Sequence, residues 1–344
     1  MADAAVSHIP SLGLINGQLD TQHIQSWREQ GFTLVHGLLP DSLLRSLKQD
    51  ALDFFPAPNT PESERFKDFS SSESFVFPSN SAAFNTVTLH PALLKATAEL
   101  LGVSTLELRL TQSDLWPKYG AGTSDDPEDN RDQRIHCDYP NHSLLHPPPW
   151  GSPEAVEIII YLDDCEACAG ATAVVPRHGP NDPAYRWPII DTPGVGALDY
   201  INDREKAESY MEQENPKAAV FRADNLYSRE LVAEYQFGSV LFYRHDTWHR
   251  GTPVKQNAIR LVQNLTFTKT GLDWLNVMHA GWSWSMYRPD KLMEELIAKA
   301  SVEQRSVLGF PPPGHDYWTQ QTIAAVEARY RAFGIDMSAY EEAL

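Results

Sequence analysis

Apolar positions change their period several times along the chain, and each change marks an element. Residues 21–30 (TQHIQSWREQ) and 41–55 (DSLLRSLKQDALDFF) repeat apolar side chains every three to four positions, the spacing of one helix face. Asp41 is expected to cap the second of these helices. Between them, Phe32–His36 reads as a strand. A third amphipathic helix is expected over 91–101 (PALLKATAELL), stopped by Gly102, and 105–112 (TLELRLTQ) alternates as a half-buried strand does.

From residue 155 onward strands dominate, over 156–162, 171–175, 238–243 and 258–269. This spacing suggests an antiparallel sandwich or barrel. In the last strand Ile259, Leu261, Leu265 and Phe267 share one face with Gln263, and Arg260, Val262, Asn264, Thr266 and Thr268 share the other. Such a polar face is ordinarily wet; within a barrel it can line a cavity. Residues 121–132 and the Pro-rich 146–153 read as insertions flanking a pocket mouth. Residues 177–235 read as a partly helical cover bearing Tyr185, Trp187, Tyr200, Tyr210 and Tyr227. The last stretch, 290–344, holds two helical runs broken by Pro311-Pro-Pro-Gly314. The whole is expected to be one domain over 1–344, with a helical region to 104, a strand core over 105–270 and a helical extension over 271–344.

Charge narrows the partners. Lys and Arg number 28 against 46 Asp and Glu, a net charge of -18 that repels nucleic acid and anionic membranes. No apolar run is long enough to span a bilayer, and residues 1–10 lack a secretory pattern, so a cytoplasmic protein is expected. Three cysteines, Cys137, Cys165 and Cys168, do not make a disulfide framework and fit a reducing compartment. Cys165-x-x-Cys168 lacks a second ligand pair and reads as two small strand-end residues. Nothing in the sequence sets the oligomeric state.

His136-Cys-Asp138 puts an imidazole and a carboxylate on one face of an extended strand, the geometry of a chelate. Alone this pair is weak, since about one or two His-x-acid pairs arise by chance at this composition. A second imidazole follows the buried strand Gly238-Ser-Val-Leu-Phe-Tyr243, where His249 is preferred over His245 for the Gly-Thr-Pro turn after it. Two His and one carboxylate leave coordination positions open on iron(II), which suits O2 chemistry with a bidentate organic cosubstrate. Arg260, eleven residues beyond His249 and expected on the adjacent strand, then needs an anion. The distal carboxylate of 2-oxoglutarate would meet its planar fork in two parallel hydrogen bonds.

With these elements in order, the sequence resembles the phytanoyl-CoA dioxygenase family of iron(II) and 2-oxoglutarate oxygenases over residues 20–270. The resemblance is carried by Gln30-Gly-Phe-Thr-Leu-Val-His-Gly-Leu-Leu39, Gln112-Ser113, His136-x-Asp138, Gly170-Ala-Thr-Ala-Val-Val-Pro176, Gly238-Ser-Val-Leu-Phe242, His249 and Arg260. Pro176-Arg-His178 departs from the family's Pro-Gly-Ser-His. The resemblance implies a mainly β, double-stranded β-helix core (jelly-roll, cupin-like) with helices packed on one face. It implies His136, Asp138 and His249 as iron ligands and Arg260 as the clamp on 2-oxoglutarate. Gln133 and Thr172 match positions that contact the cosubstrate in relatives, and Gln112 is a further pocket candidate. Halogenating relatives have Gly or Ala at the position of Asp138, so the carboxylate implies hydroxylation or a related oxidation. The acidic chain, without a basic patch, favours a small or medium-sized cationic or neutral metabolite over a CoA thioester. The rival readings are a non-catalytic cupin-like binding module and a metal enzyme without 2-oxoglutarate, and Arg260 argues against both.

Overall fold

The computed structural model describes residues 7–66, 75–120, 132–187, 202–272, 291–307 and 310–344. Most of the 121–132 insertion, Tyr200 and residues 273–290 lie outside the described residues. The strands are β1 (Ser7–His8), β2 (Ser11–Gly13), β3 (Phe32–His36), β4 (Phe75–Val76), β5 (Leu108–Tyr119), β6 (Ala155–Tyr161), β7 (Thr172–Val174), β8 (Leu231–Val232), β9 (Val240–Tyr243), β10 (His249–Gly251) and β11 (Ile259–Lys269). The helices are α1 (Thr21–Gln30), α2 (Asp41–Phe54), α3 (Ala82–Thr88), α4 (Pro91–Leu101), α5 (Tyr139–His142), α6 (Cys165–Cys168), α7 (Arg204–Glu214), α8 (Pro216–Asn225), α9 (Leu292–Lys299), α10 (Val302–Val307), α11 (Gln320–Tyr330) and α12 (Ser338–Glu341). No described helix is long and apolar enough to cross a membrane.

Local chemistry sets the helix ends. Asp20 and His23 form a reciprocal capping box at the start of α1, and Gly31, with φ 103°, closes it in the left-handed region. Pro91 opens α4 and Gly102 (φ 70°) ends it. The cap of α2 is Pro40, not Asp41, which falls inside the first turn; there its charge still favours the helix dipole. The strand expected over 105–112 begins later and runs further, because Ser104 and Glu107 cap a short 3-10 turn over Thr105–Glu107 before β5.

Two sheets result, with strand orders β2-β3-β9-β6-β11-β5-β4 and β1-β8-β7-β10. Neither closes into a barrel, and the fold is mixed α/β and not mainly β. Alternation explains the burial: Ile158, Ile160, Val240, Phe242, Leu261 and Leu265 face α1 to α4, while Ile159, Tyr161, Leu241, Tyr243 and Val262 face the small sheet. Helices are not confined to one face. On the small sheet's side, Arg222 of α8 donates to the Ile135 carbonyl (3.1 Å). The C-terminal helices bury Phe310, Trp318, Ile323 and Tyr330 against Leu144 and Leu145, and Arg329 donates to the Pro140 and Ser143 carbonyls around α5. The extension thus buttresses the segment that follows Asp138. Cys165 and Cys168 sit in the one-turn α6, not at strand ends.

Candidate metal centre

Residues 133–138 extend the small sheet beyond β10 through Gln133 N–H to the Gly251 carbonyl (3.0 Å) and the reciprocal pair His136–His249 (2.9 and 2.8 Å). The two imidazoles therefore lie side by side, with ring centroids 4.5 Å apart. Asp138 is not on a strand as expected. Its backbone is already helical (φ -89°, ψ -19°) because Pro140 opens α5 and the His245 carbonyl accepts from both Asp138 and Tyr139 N–H. The turn swings the carboxylate back, placing Oδ1 3.5 Å from His136 Nε2 and Oδ2 3.2 Å from His249 Nε2. Tyr243 donates to Oδ2 at 2.8 Å.

This donor set fits a divalent ion. His136 Nδ1 lies 2.9 Å from the Arg134 carbonyl and His249 Nδ1 3.0 Å from the Thr247 carbonyl. A carbonyl only accepts, so each ring carries its proton on Nδ1 and turns the Nε2 lone pair inward. Burial, with His249 adding to it, pushes His136 down to about 3, so it stays neutral and able to ligate. Burial would raise Asp138, but the His249 imidazole holds it well below the carboxylate range. Burial alone would lower His249, and Asp138 reverses this and raises it. Removing these groups from water without a cation between them would be costly, the usual state of a metal face before the ion is counted.

The sequence candidates meet in one cavity, lined by His136, Asp138, His249, Gln133, Thr172, Arg260 and Gln112. Arg260 comes from β11, in the sheet opposite β10 and not on an adjacent strand. It is 9% exposed, one Nη donates to the Gly170 carbonyl, and its Nε is buried without a partner. Thr172 accepts from Tyr161 (2.8 Å), so its own proton is available to an acceptor in the cavity. Gln133 spends its carbonyl on Gly251 N–H (2.7 Å) and donates to Asn202 (3.1 Å). Gln112 is opposite Thr266, whereas Arg260 is opposite Lys118. Six strand positions, roughly 20 Å along the backbone, separate the two, so Gln112 and Arg260 line opposite ends of the cavity. His245 is buried, its carbonyl accepts from Asp138 and Tyr139 N–H, and it is not among the residues lining the cavity.

Sequence reasoning missed Lys118, His142 and Glu157. Lys118 is 2% exposed and donates to the Thr252 carbonyl (3.0 Å); burial and the neighbouring Arg260 push its ammonium well down. His142 follows Asp138 by one helical turn, and Glu157 interrupts an otherwise apolar strand; both were available signals. Among the described residues two groups could hold a metal, His136–Asp138–His249 and Asp138–His142–Glu157. A larger cavity of about 700 Å3 between α7 and α8, lined by Asp203, Glu205, Glu208 and Tyr227 among others, contains neither.

Comparisons with known proteins agree with this arrangement. Residues 27–262 match the family model of phytanoyl-CoA dioxygenase (PhyH). No curated protein matches the chain. The fold is similar to that of EvdO2 from Micromonospora carbonacea var. aurantiaca, at 14% identity and TM-score 0.52 over 75% of this chain and 94% of that one. A second EvdO2 structure, complexed with 2-oxoglutarate, is similar at 15% identity and TM-score 0.51 over 77% and 97% of the two chains. The matched span exceeds half of the sequence and includes every candidate metal donor and Arg260, and the chain belongs to the phytanoyl-CoA dioxygenase family of iron(II)- and 2-oxoglutarate-dependent oxygenases.

Proposed function

We propose that the protein hydroxylates an unactivated C–H bond of a small or medium-sized metabolite, with His136, Asp138 and His249 holding iron(II) and Arg260 holding 2-oxoglutarate. When bound, the iron and 2-oxoglutarate activate O2 and leave succinate and CO2. The observation that carries the reading is the pair Arg260 and Lys118. They are buried basic groups directly opposite on neighbouring strands, the guanidinium keeps an unpartnered Nε, and burial with Arg260 holds the Lys118 ammonium well down. Like charges so placed repel, and an anion at that end of the cavity would offset the repulsion. A dicarboxylate reaching from there to the metal face satisfies both ends, and the 2-oxoglutarate held by EvdO2 is such a molecule.

The chain's own residues then have defined tasks. Arg260 would orient the distal carboxylate, Thr172 would offer it a hydroxyl proton, and Tyr243 fixes one oxygen of Asp138 and so holds in place the carboxylate that would ligate the ion. The buried walls exclude water from the oxidant. Arg260→Gln keeps hydrogen-bonding capacity but removes the charge and fork, a loss of about 2 to 5 kcal/mol. Titration of 2-oxoglutarate into the iron-loaded variant under argon should show binding weakened about 30-fold or more, with iron affinity unchanged. Equal affinity in variant and parent would reduce Arg260 to a structural residue and remove the support for the cosubstrate.

A further inference from the structure

The cavity has a second end, opposite in charge to the first. Three chain segments run through it in the same order. Along β11 the lining passes from Arg260 to Asn264 and on towards Thr266, along β10 from Gly251 to His249, and along the segment beyond β10 from Gln133 to Asp138. Beyond Asp138 come His142 and Glu157. Arg260 is the only Lys or Arg among the residues lining the cavity, and it stands at the far end.

Glu157 has one carboxylate oxygen without a hydrogen-bond partner among the described residues. Its position on β6 shares the parity of Ile159 and Tyr161, so its side chain leaves the strand on the face between the sheets. The residue is 3% exposed. Thr266, directly across on β11, donates to Oε2, while Oε1 is buried without a hydrogen-bond partner and is 3.8 Å from His142 Nε2. The side chains of Gln112, Asn264 and Ile159 complete this end, two amides beside an aliphatic wall. Burial, with the Asp138 charge adding to it, pushes the Glu157 carboxyl well up, because an ionised oxygen with no donor is costly to keep; a site of this shape and composition is complementary to a cation that brings its own N–H groups and some hydrocarbon.

We propose that this end of the cavity binds a protonated nitrogen of the substrate through Glu157, which makes the substrate an organic amine or an equally basic nitrogen heterocycle. The proposal rests on the reading of the metal face above and adds the chemical class of the molecule that is oxidised there. Anionic cosubstrate and cationic substrate would enter one cavity without competing, each drawn to the end of opposite charge, with the three metal donors between them. The alternative cation is a second metal ion on Asp138, His142 and Glu157. It is disfavoured because Asp138 would be shared with the first group and its Oδ2 is already held by Tyr243.

The test uses the full chain loaded with iron(II) and 2-oxoglutarate under argon, and the same chain without metal. The probes are cyclohexylamine and its neutral and anionic counterparts, cyclohexanol and cyclohexanecarboxylate, with binding followed by calorimetry and by the rise in melting temperature. The amine should bind at least about tenfold more tightly than either counterpart. In Glu157→Gln that preference should disappear while 2-oxoglutarate affinity stays at the parental value. Glu157→Asp, which withdraws the charge by one methylene, should keep the preference at lower affinity, and it stands in if the Gln variant does not fold. Equal binding of the three probes, no binding of any, or a preference that survives in Glu157→Gln overturns the proposal. So does a second equivalent of iron per chain that Glu157→Gln loses. An amine preference in a protein that fails to bind 2-oxoglutarate would support this inference and overturn the cosubstrate reading instead.

Discussion

The two sheets that enclose the cavity are built on different terms. In the larger one β11 pairs eleven residues with β5 and seven with β6, and helices or the small sheet cover both faces. In the smaller one the pairs are two or three residues long, and 133–138 joins through single bonds and one bridge. Long register fixes side chains at set intervals, which suits groups such as Arg260 and Glu157 that must stand apart. Converging donors need the opposite. Along a regular strand, side chains at i and i+2 are about 7 Å apart, whereas the break into α5 brings Asp138 Oδ1 to 3.5 Å from His136 Nε2. The metal face lies where regularity ends, and the groups that would sort ligands by charge lie where it holds.

The contrast makes its sharpest prediction about what each sheet loses on truncation. His136→Ala, Asp138→Ala and His249→Ala should each abolish iron binding and turnover, since two donors cannot complete the face, and each should melt close to the parent. Ile160→Ala, in the larger sheet and fully buried, should keep iron and lose about 2 to 5 kcal/mol of stability. His245→Ala should retain iron. Metal analysis and calorimetric melting of the five variants decide the matter; loss of iron in His245→Ala with retention in His249→Ala would reassign the third donor.

Much of this organisation was legible before any coordinates. Periodicity placed α1, α2, α4 and the long strands, and parity in 258–269 separated the apolar face from the face that carries Arg260. The His136-x-Asp138 spacing was visible because the two residues are local. Glu157 and Lys118 were not picked out, because their meaning lies in register: Glu157 stands opposite Thr266 and Lys118 opposite Arg260, and neither strand encodes its partner. The turn at Asp138 did carry a signal, Pro140, which belongs in the first turn of a helix more readily than in a strand. Whether the sheets close depends on pairing at their edges, which strand patterns do not reveal.

Lys118 sharpens the same comparison at smaller scale. It hydrogen bonds only to the Thr252 carbonyl among the described residues and stands beside Arg260 in the long register. Its proposed role is to add positive potential behind the guanidinium. Lys118→Met should weaken 2-oxoglutarate by about tenfold, or about 1.4 kcal/mol, while leaving iron binding intact. Stability should hold or rise, since a buried ammonium with one partner is replaced by a thioether of similar length. A variant that binds 2-oxoglutarate like the parent would make Arg260 sufficient by itself.

The smallest expected effect concerns the cover over the small sheet. Arg222 of α8, wholly buried, meets both carboxylate oxygens of Glu208 on α7 at 2.9 and 2.8 Å, and Tyr227 donates to the same carboxylate at 2.6 Å. Through the Ile135 carbonyl this cluster touches the residue before His136. Burial raises Glu208, but the bond and charge of Arg222 outweigh it and hold the carboxyl below its ordinary value of about 4.5. A carboxyl depressed on folding contributes stability that is complete above the unfolded value and is lost as pH falls through the folded one. Protection of α8 amides against hydrogen exchange, corrected for intrinsic rates, should therefore decline below about pH 4.5 while β11 amides hold theirs. In Glu208→Gln the decline should be absent, because α8 protection is already reduced at neutral pH. An unchanged acid decline in that variant would place the acid sensitivity elsewhere, and the cover would then be held by packing alone.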